Sequence, residues 1–456
     1  MRTSFPANYQ QQTTPIECVS FQLRCRHELI PLLVALQHLY CRPEVCQQLL
    51  QLIQRDVNKS TRSTRGRSGL SYWEILVLAA VRLGGDHDYD ALQDLAENHR
   101  TLRQILGVAD DPIDREHPPY LWQRIRDNLC LLRPETIESI NHVLVAAGHE
   151  LAPTAAEQVR GDTFVAETNI HYPTEANLLG DGLRKVLDVA KQVQKLLPVQ
   201  GWRQQEHCRK RLKKALRYVN RACRSKGKNA PALRRRAYEV LYDLTEQLLG
   251  KGRQLEQELA AHLATPPTLA QSSVRVLHEQ LQEFLSLSAR VLTYSRRRVL
   301  HGETIANDEK VFSLFETHTE LINRGKQPQP IQFGHKVLVI EDAAGFVCHY
   351  RVLGNAEAEE DIVVGEMTKL KGRLPRMRRA SFDSGFHSPA NQEQLSEIIP
   401  VACIPMPGAK QAKAQAEQAS AAFAEARRAH PGVEALIGVL QRGNGLTQNA
   451  DIPIVA

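Results

Sequence analysis

The hydrophobic period of this chain changes three times, and the order of those periods limits its fold more than any single motif. From Ser71 to about residue 150 apolar side chains recur at helical spacing. VRGDTFVAETNIHYPT, residues 159 to 174, then opens as a strand whose side chains alternate faces. Residues 178 to 300 return to the helical period, and after 330 short strands alternate with helical stretches.

LSYWEILVLAAVRLGG has Ser71 as N-cap, Glu74 three residues later as the second half of a capping box, and Gly84-Gly85 as the stop. DYDALQDLAENHRTLRQILG reads as the next helix, followed by PYLWQRIRDNLCLL and PETIESINHVLVAAG. Short helices with tight turns and arginines expected on the surface (Arg100, Arg103, Arg124 and Arg126) suit a helix-turn-helix-like DNA-binding unit, with a plain helical bundle as the alternative. Ahead of them stand a polar leader, one apolar-periodic segment at 29 to 40, and the basic linker NKSTRSTRGRSG at 58 to 69.

The second helical block opens with LLGDGLRKVLDVAKQVQKLLP, in which Leu183, Val186, Leu187, Ala190, Val193 and Leu197 form one apolar stripe. Residues 203 to 236 hold fourteen Lys or Arg against the single acid Glu206. A field of one sign repels itself unless a polyanion neutralises it, so this block points to phosphate backbone through Arg209, Lys210, Arg211, Lys213, Lys214, Arg217, Arg234, Arg235 and Arg236. The chain as a whole carries +7, with 42% hydrophobic and 24% charged residues, an ordinary globular balance for two to four structural units.

The odd number of cysteines, nine, contains no CxxC pair, which indicates neither a disulfide framework nor a zinc ribbon. No apolar run reaches the roughly 18 residues of a membrane span, and the amino terminus has no apolar signal core. The expectation is a protein of the reducing cytoplasm, associated with the nucleoid and not with a membrane.

After 330, FGHKVLVIE, GFVCHYRVL, RRASFDSG and IIPVACIPM read as strands, with helices at VVGEMTKLKG and ANQEQLSEI, an α/β order. Asp383 ends a strand before a glycine turn, where α/β sheets bind ligands. In RRAHPGVEALIGVLQ, Pro431 fits a first helical turn, Val433, Leu436, Ile437 and Leu440 form the buried stripe, and Glu434 lies in the first turn. Taken singly, Asp162 also reads as a turn former, Asp383 as a helix cap, and Glu434 as a helix-dipole partner. Together, three carboxylates in a basic chain can hold two Mg2+ or Mn2+ ions for phosphodiester cleavage.

GDTFVAETNIHYPTEANLL, KGKNAP to LRRR, INRGKQP with FGHKVLVIED, FDSGFHSPANQEQL and HPGVEALIGVL resemble, in this order, landmarks of bacterial insertion-sequence transposases with an Asp-Asp-Glu site, most similar to the ISNCY family, over about residues 69 to 445. The resemblance implies an α/β ribonuclease H-like catalytic core, an N-terminal all-α DNA-binding region and a large helical insertion. The implied organisation is a leader and linker at 1–68, a helix-turn-helix-like domain at 69–150, a catalytic domain at 151–177 and 331–456, and a basic helical insertion at 178–330. It further implies Asp162, Asp383 and Glu434 as catalytic, metal-binding residues with two Mg2+ (or Mn2+) ions. The implied partners are double-stranded DNA and terminal inverted repeats, bound by a homodimer at the element ends.

Where the family commonly has Asp the chain has Glu175, and where broader relatives have Arg and Lys around the catalytic glutamate it has His430 and Gln441. The sequence ends in GNGLTQNADIPIVA soon after Glu434, so the helix bearing Glu434 is expected to be loosely held. A transposase-derived protein that binds DNA without cutting it, and a stand-alone nuclease of the same fold, are the other readings.

Overall fold

A computed structural model describes residues 4–5, 14–60, 69–108, 119–264, 271–324, 330–354, 357–406 and 420–447. Most of the basic linker, part of INRGKQP, most of the Ala- and Gln-rich stretch before 420, and the last residues of the tail lie outside them. The chain forms two compact units, Met1–Ala166 with Lys336–Gln448, and one built on Glu167–His335.

The first unit begins with helices. Leu29–Tyr40 and Pro43–Ser60 bury Leu33, Leu49, Ile53 and Val57 in the same core as Trp73, Ile75, Leu92 and Ile105. The segment before 69 therefore contributes structural helices and is not merely a leader. Ser71 and Glu74 make the reciprocal capping box, and the Glu74 carboxylate also accepts from Tyr120 Oη at 2.7 Å. DYDALQDLAENHRTLRQILG does not form one helix: it breaks into Tyr89–Asn98 and Arg100–Leu106, with His99 capping the second. Arg103, expected on the surface, is only 3% exposed and donates to the carbonyls of Ala96 and Glu97, closing that break from inside.

Next comes strand β1, Gln158–Glu167. With β2 (Glu320–Asn323), β3 (Ile331–Asp342), β4 (Val347–Val352), β5 (Arg379–Ser381) and β6 (Val401–Cys403) it makes a mixed sheet. Strand β1 lies between β3 and β5; β5 runs parallel to both β1 and β6, and β4 pairs antiparallel with β3. The alternation of β1 sorts its side chains to two faces. Val159 packs with Phe382, Met367 and Leu370 below Glu359–Arg373, whereas Phe164 and Ala166 pack with Val433 and Ile437 of helix Pro431–Arg442.

The second unit is a set of long helices, Glu175–Leu196, Gln205–Arg224, Ala230–Leu263 and Gln271–His301, around one core. All members of the expected stripe from Leu183 to Val193 are buried in it. Glu175 pairs with Arg298, tying the start of the first of these helices to the end of the last. Strand β2, which has no distinctive periodicity in four residues, pairs with the leading part of β3, Ile331 to Gly334. Among the described residues no helix is long and apolar enough to cross a membrane.

Candidate carboxylate edge and basic face

The registry between β1 and β5 decides where the aspartates stand. Arg160 is the partner of Ser381, the last residue of β5; Asp162 follows two residues later within β1, and Asp383 two residues past the end of β5. Between them, a Cβ placed on Gly161 would lie 2.5 Å from the Phe382 ring, so the strands meet there with only glycine between ring and backbone. By the same alternation Arg160, Asp162 and Phe164 share the face covered by helix Pro431–Arg442.

Asp162 is half-buried, and its Oδ1 accepts from the Thr163 amide at 2.7 Å. Asp383 is exposed; it stands where a residue could cap the following turn but makes no side-chain cap bond. Glu434 is exposed beside fully buried Val433. His430 links the last two: its Nε2 is 3.7 Å from Asp383 Oδ1, its Nδ1 is 3.3 Å from Ser381 Oγ, and it feels the charges of both Asp383 and Glu434. Burial lowers the His430 pKa, the two carboxylates opposing the shift and Arg427 reinforcing it.

Asp162 thus lies within β1, Asp383 lies just past the end of β5, and Glu434 is carried by the helix that packs on the Phe164 face of β1; the three carboxylates do not close into a tight cluster. Among the described residues the side chains that do so, with ligand atoms within 4.8 Å of one another, are His149, Asp342 and Cys348. That group is already satisfied: Asp342 accepts from Ala344 N, Phe346 N and His149 Nε2, and burial pushes the Cys348 thiol up to about 12. It clasps helix Pro134–Leu151 to the β3–β4 hairpin.

Residues beyond the expected triad also crowd this edge. Glu359, first residue of its helix, accepts from Thr163 Oγ1 and lies 3.5 Å from Lys336, and a Cβ on Gly385 would touch it. Its signal in the sequence was only an acid in a first helical turn, which has an ordinary dipole explanation. The helix bearing Glu434 is not loosely held. Val433 and Ile437 are buried, Leu436 and Leu440 pack beside them, and Asn444 donates to the carbonyls of Leu83 and Gly84. The expected looseness is corrected by these contacts, all of which lie within the described residues.

In the second unit, helix Gln205–Arg224 buries Gln205, Cys208, Leu212, Ala215, Val219 and Ala222 at spacings of three and four. That seam leaves Lys210, Arg211, Lys213, Lys214 and Arg217 exposed. Arg209 is half-buried and paired with Asp188 at 2.6 Å, which removes it from the free part of the face. Arg234, Arg235 and Arg236 are exposed at the start of the next helix, with Arg235 3.2 Å from Glu239. The basic run is therefore two helices separated by 225–229, not one continuous element. No protein-family model matches the chain, and comparison with curated proteins and with solved structures likewise gives no match.

Proposed function

We propose that this chain is a DNA transposase that binds insertion-sequence ends and catalyses two-metal-ion strand cleavage and strand transfer. The observation that supports the reading is the parallel registry of β1 and β5, in which Asp162 and Asp383 each come two residues after the paired Arg160 and Ser381, with the helix of Glu434 packed on the Phe164 face of β1. The mixed sheet, with helices on both of its faces, is compatible with a ribonuclease H-like core. The all-oxygen donor set suits Mg2+ or Mn2+, and the exposed Asp383 carboxylate, unspent on capping, is open to such a ligand role.

Asp162, Asp383 and Glu434 would hold the ions, which when bound activate a water or 3′ hydroxyl and stabilise the leaving oxygen. The work of the protein is then to place phosphate and carboxylates together. Lys210, Arg211, Lys213, Lys214, Arg217, Arg234 and Arg236 present exposed cations that neutralise backbone phosphates without reading base identity. In this reading the protein acts on nucleoid DNA in the cytoplasm, and a homodimer holds the two terminal inverted repeats. A DNA-binding protein that has lost cleavage is the second reading, favoured by the exposure of Glu434 and the spread of the carboxylates.

The experiment is Mn2+- and Mg2+-dependent cleavage of a DNA fragment carrying the sequence that flanks the coding frame, with Asp162→Ala, Asp383→Ala and Glu434→Ala beside the parent. Loss of cleavage with retained binding supports the transposase. Cleavage surviving in Asp162→Ala or Asp383→Ala removes the metal site, and binding without cleavage by the parent selects the second reading.

A further inference from the structure

We infer that Arg160 is the positioning residue that fixes the helix bearing Glu434 against the sheet edge bearing Asp162 and Asp383. Its catalytic consequence rests on the function proposed above; its mechanical part does not. Arg160 sits on β1 two residues before Asp162, on the same face, opposite Ser381 of β5. Its Nε donates to Glu341 Oε1 at 2.6 Å and its Nη1 to the carbonyl of Ala429 at 2.9 Å. One planar guanidinium therefore joins β1, β3 and the end of helix Ala421–Ala429.

The third contact is steric. A Cβ on Gly432 would lie 2.1 to 2.6 Å from Arg160 Cζ, Nη1 and Nη2, so the guanidinium rests against the first turn of Pro431–Arg442 where only a glycine leaves room. Glu434 follows two residues later.

Each partner has a reason to need this cation. Glu341 is 2% exposed; burial pushes its carboxyl above the ordinary range and the Arg160 guanidinium pulls it part of the way back. Ala429 ends its helix, where carbonyls lack intrahelical donors and the helix dipole is negative. A lysine has three donors, but all on one nitrogen, so both acceptors would have to converge on a single point, whereas the guanidinium fork reaches them from two separate nitrogens. The next residue, His430, is the one that touches Ser381 and Asp383, so the same anchor sets both sides of the carboxylate edge.

The test uses the full chain as Arg160→Lys, Gly432→Ala and the double variant Arg160→Met with Glu341→Gln, which removes both charges of the pair together. Hydrogen exchange followed by mass spectrometry reads the helix directly, and Mn2+ titration of end cleavage reads the chemistry. Each single variant is expected to speed exchange at 430–440 while leaving Pro134–Leu151 at parent rates. Each should also raise the Mn2+ concentration for half-maximal cleavage about 10- to 100-fold, as loss of a ligand-orienting partner does, with end binding within about twofold. The double variant, where no unpaired charge remains, should fold and still show the local exchange change.

Unchanged exchange at 430–440 in the double variant, or an equal rise across both units, overturns the positioning role. A parent that cleaves with variants needing no more Mn2+ overturns its catalytic consequence and leaves the transposase reading standing. A parent that never cleaves, with exchange rising only at 430–440, sinks the transposase reading and upholds the anchor.

Discussion

His430 Nε2 stands 3.7 Å from Asp383 Oδ1, four residues before Glu434, and joins a strand-end carboxylate to the helix that carries the late acid. At 8% exposure, with burial lowering its pKa, the imidazole is buried and its other nitrogen meets Ser381. His430→Ala is expected to reduce end cleavage by roughly 10- to 100-fold while leaving end binding unchanged, the size typical for removing a group that orients a ligand. Single-turnover cleavage beside a binding titration checks it; equal loss in both assays would mean that the variant merely unfolds the edge.

Exposed cations on the second unit carry the next expectation. Replacing Arg234, Arg235 and Arg236 by Ala should weaken binding to all DNA sequences alike and flatten the dependence of log affinity on log salt by about 0.9 per lost phosphate contact. Arg235 already has Glu239 as a neighbour, so it should contribute least of the three. A salt slope equal to that of the parent returns this face to ordinary surface.

Gly161 leaves room on β1 for the ring of Phe382, the residue that follows β5. Gly161→Ala places a methyl 2.5 Å from the Phe382 ring, and overpacking of this kind costs about 1 to 3 kcal/mol. Urea denaturation should show a lower midpoint at unchanged slope, and an unaltered midpoint would show that Phe382 swings aside freely.

Acid should weaken the protein before carboxylates of ordinary pKa begin to protonate. Burial lowers the pKa of His142 and His349; Arg373 pushes both the same way, while Glu366 pulls His349 and Glu138 pulls His142 back up. Below the ordinary value of 6.5 the unfolded chain takes up protons that the folded state refuses. Stability is therefore full above that pH and is lost as pH falls from it towards the folded values. Glu366 adds to the same trend lower down: burial alone would raise its carboxyl, but bonds from Lys369, Arg351 and His349 outweigh that and hold it below 4.5. Glu320 and Glu341, raised by burial, act in the opposite sense from 4.5 upward. Melting temperature should fall between pH 7 and 5.5, and a flat profile over that interval would rule out the histidine contribution.

The sequence by itself determined what depends on near neighbours. Ser71 and Glu74 cap each other across three residues, Pro431 opens its helix, and the alternation around Asp162 and the stripe from Val433 to Ile437 follow from periods of two and 3.6. These signals arise within a turn or a strand, so they survive without knowledge of the rest of the chain. Tertiary structure decided what depends on residues far apart in sequence. His99 splits a continuous helical pattern because Arg103 is needed inside to meet Ala96 and Glu97, and β2 exists only because β3 offers it an edge. Arg160 reaches Glu341 and Ala429, Thr163 reaches Glu359, and His430 reaches Asp383 only once strand order and registry are set. No periodicity encodes which strands become neighbours, since many pairings bury the same apolar faces, and the polar partners around the carboxylate edge are chosen by that pairing.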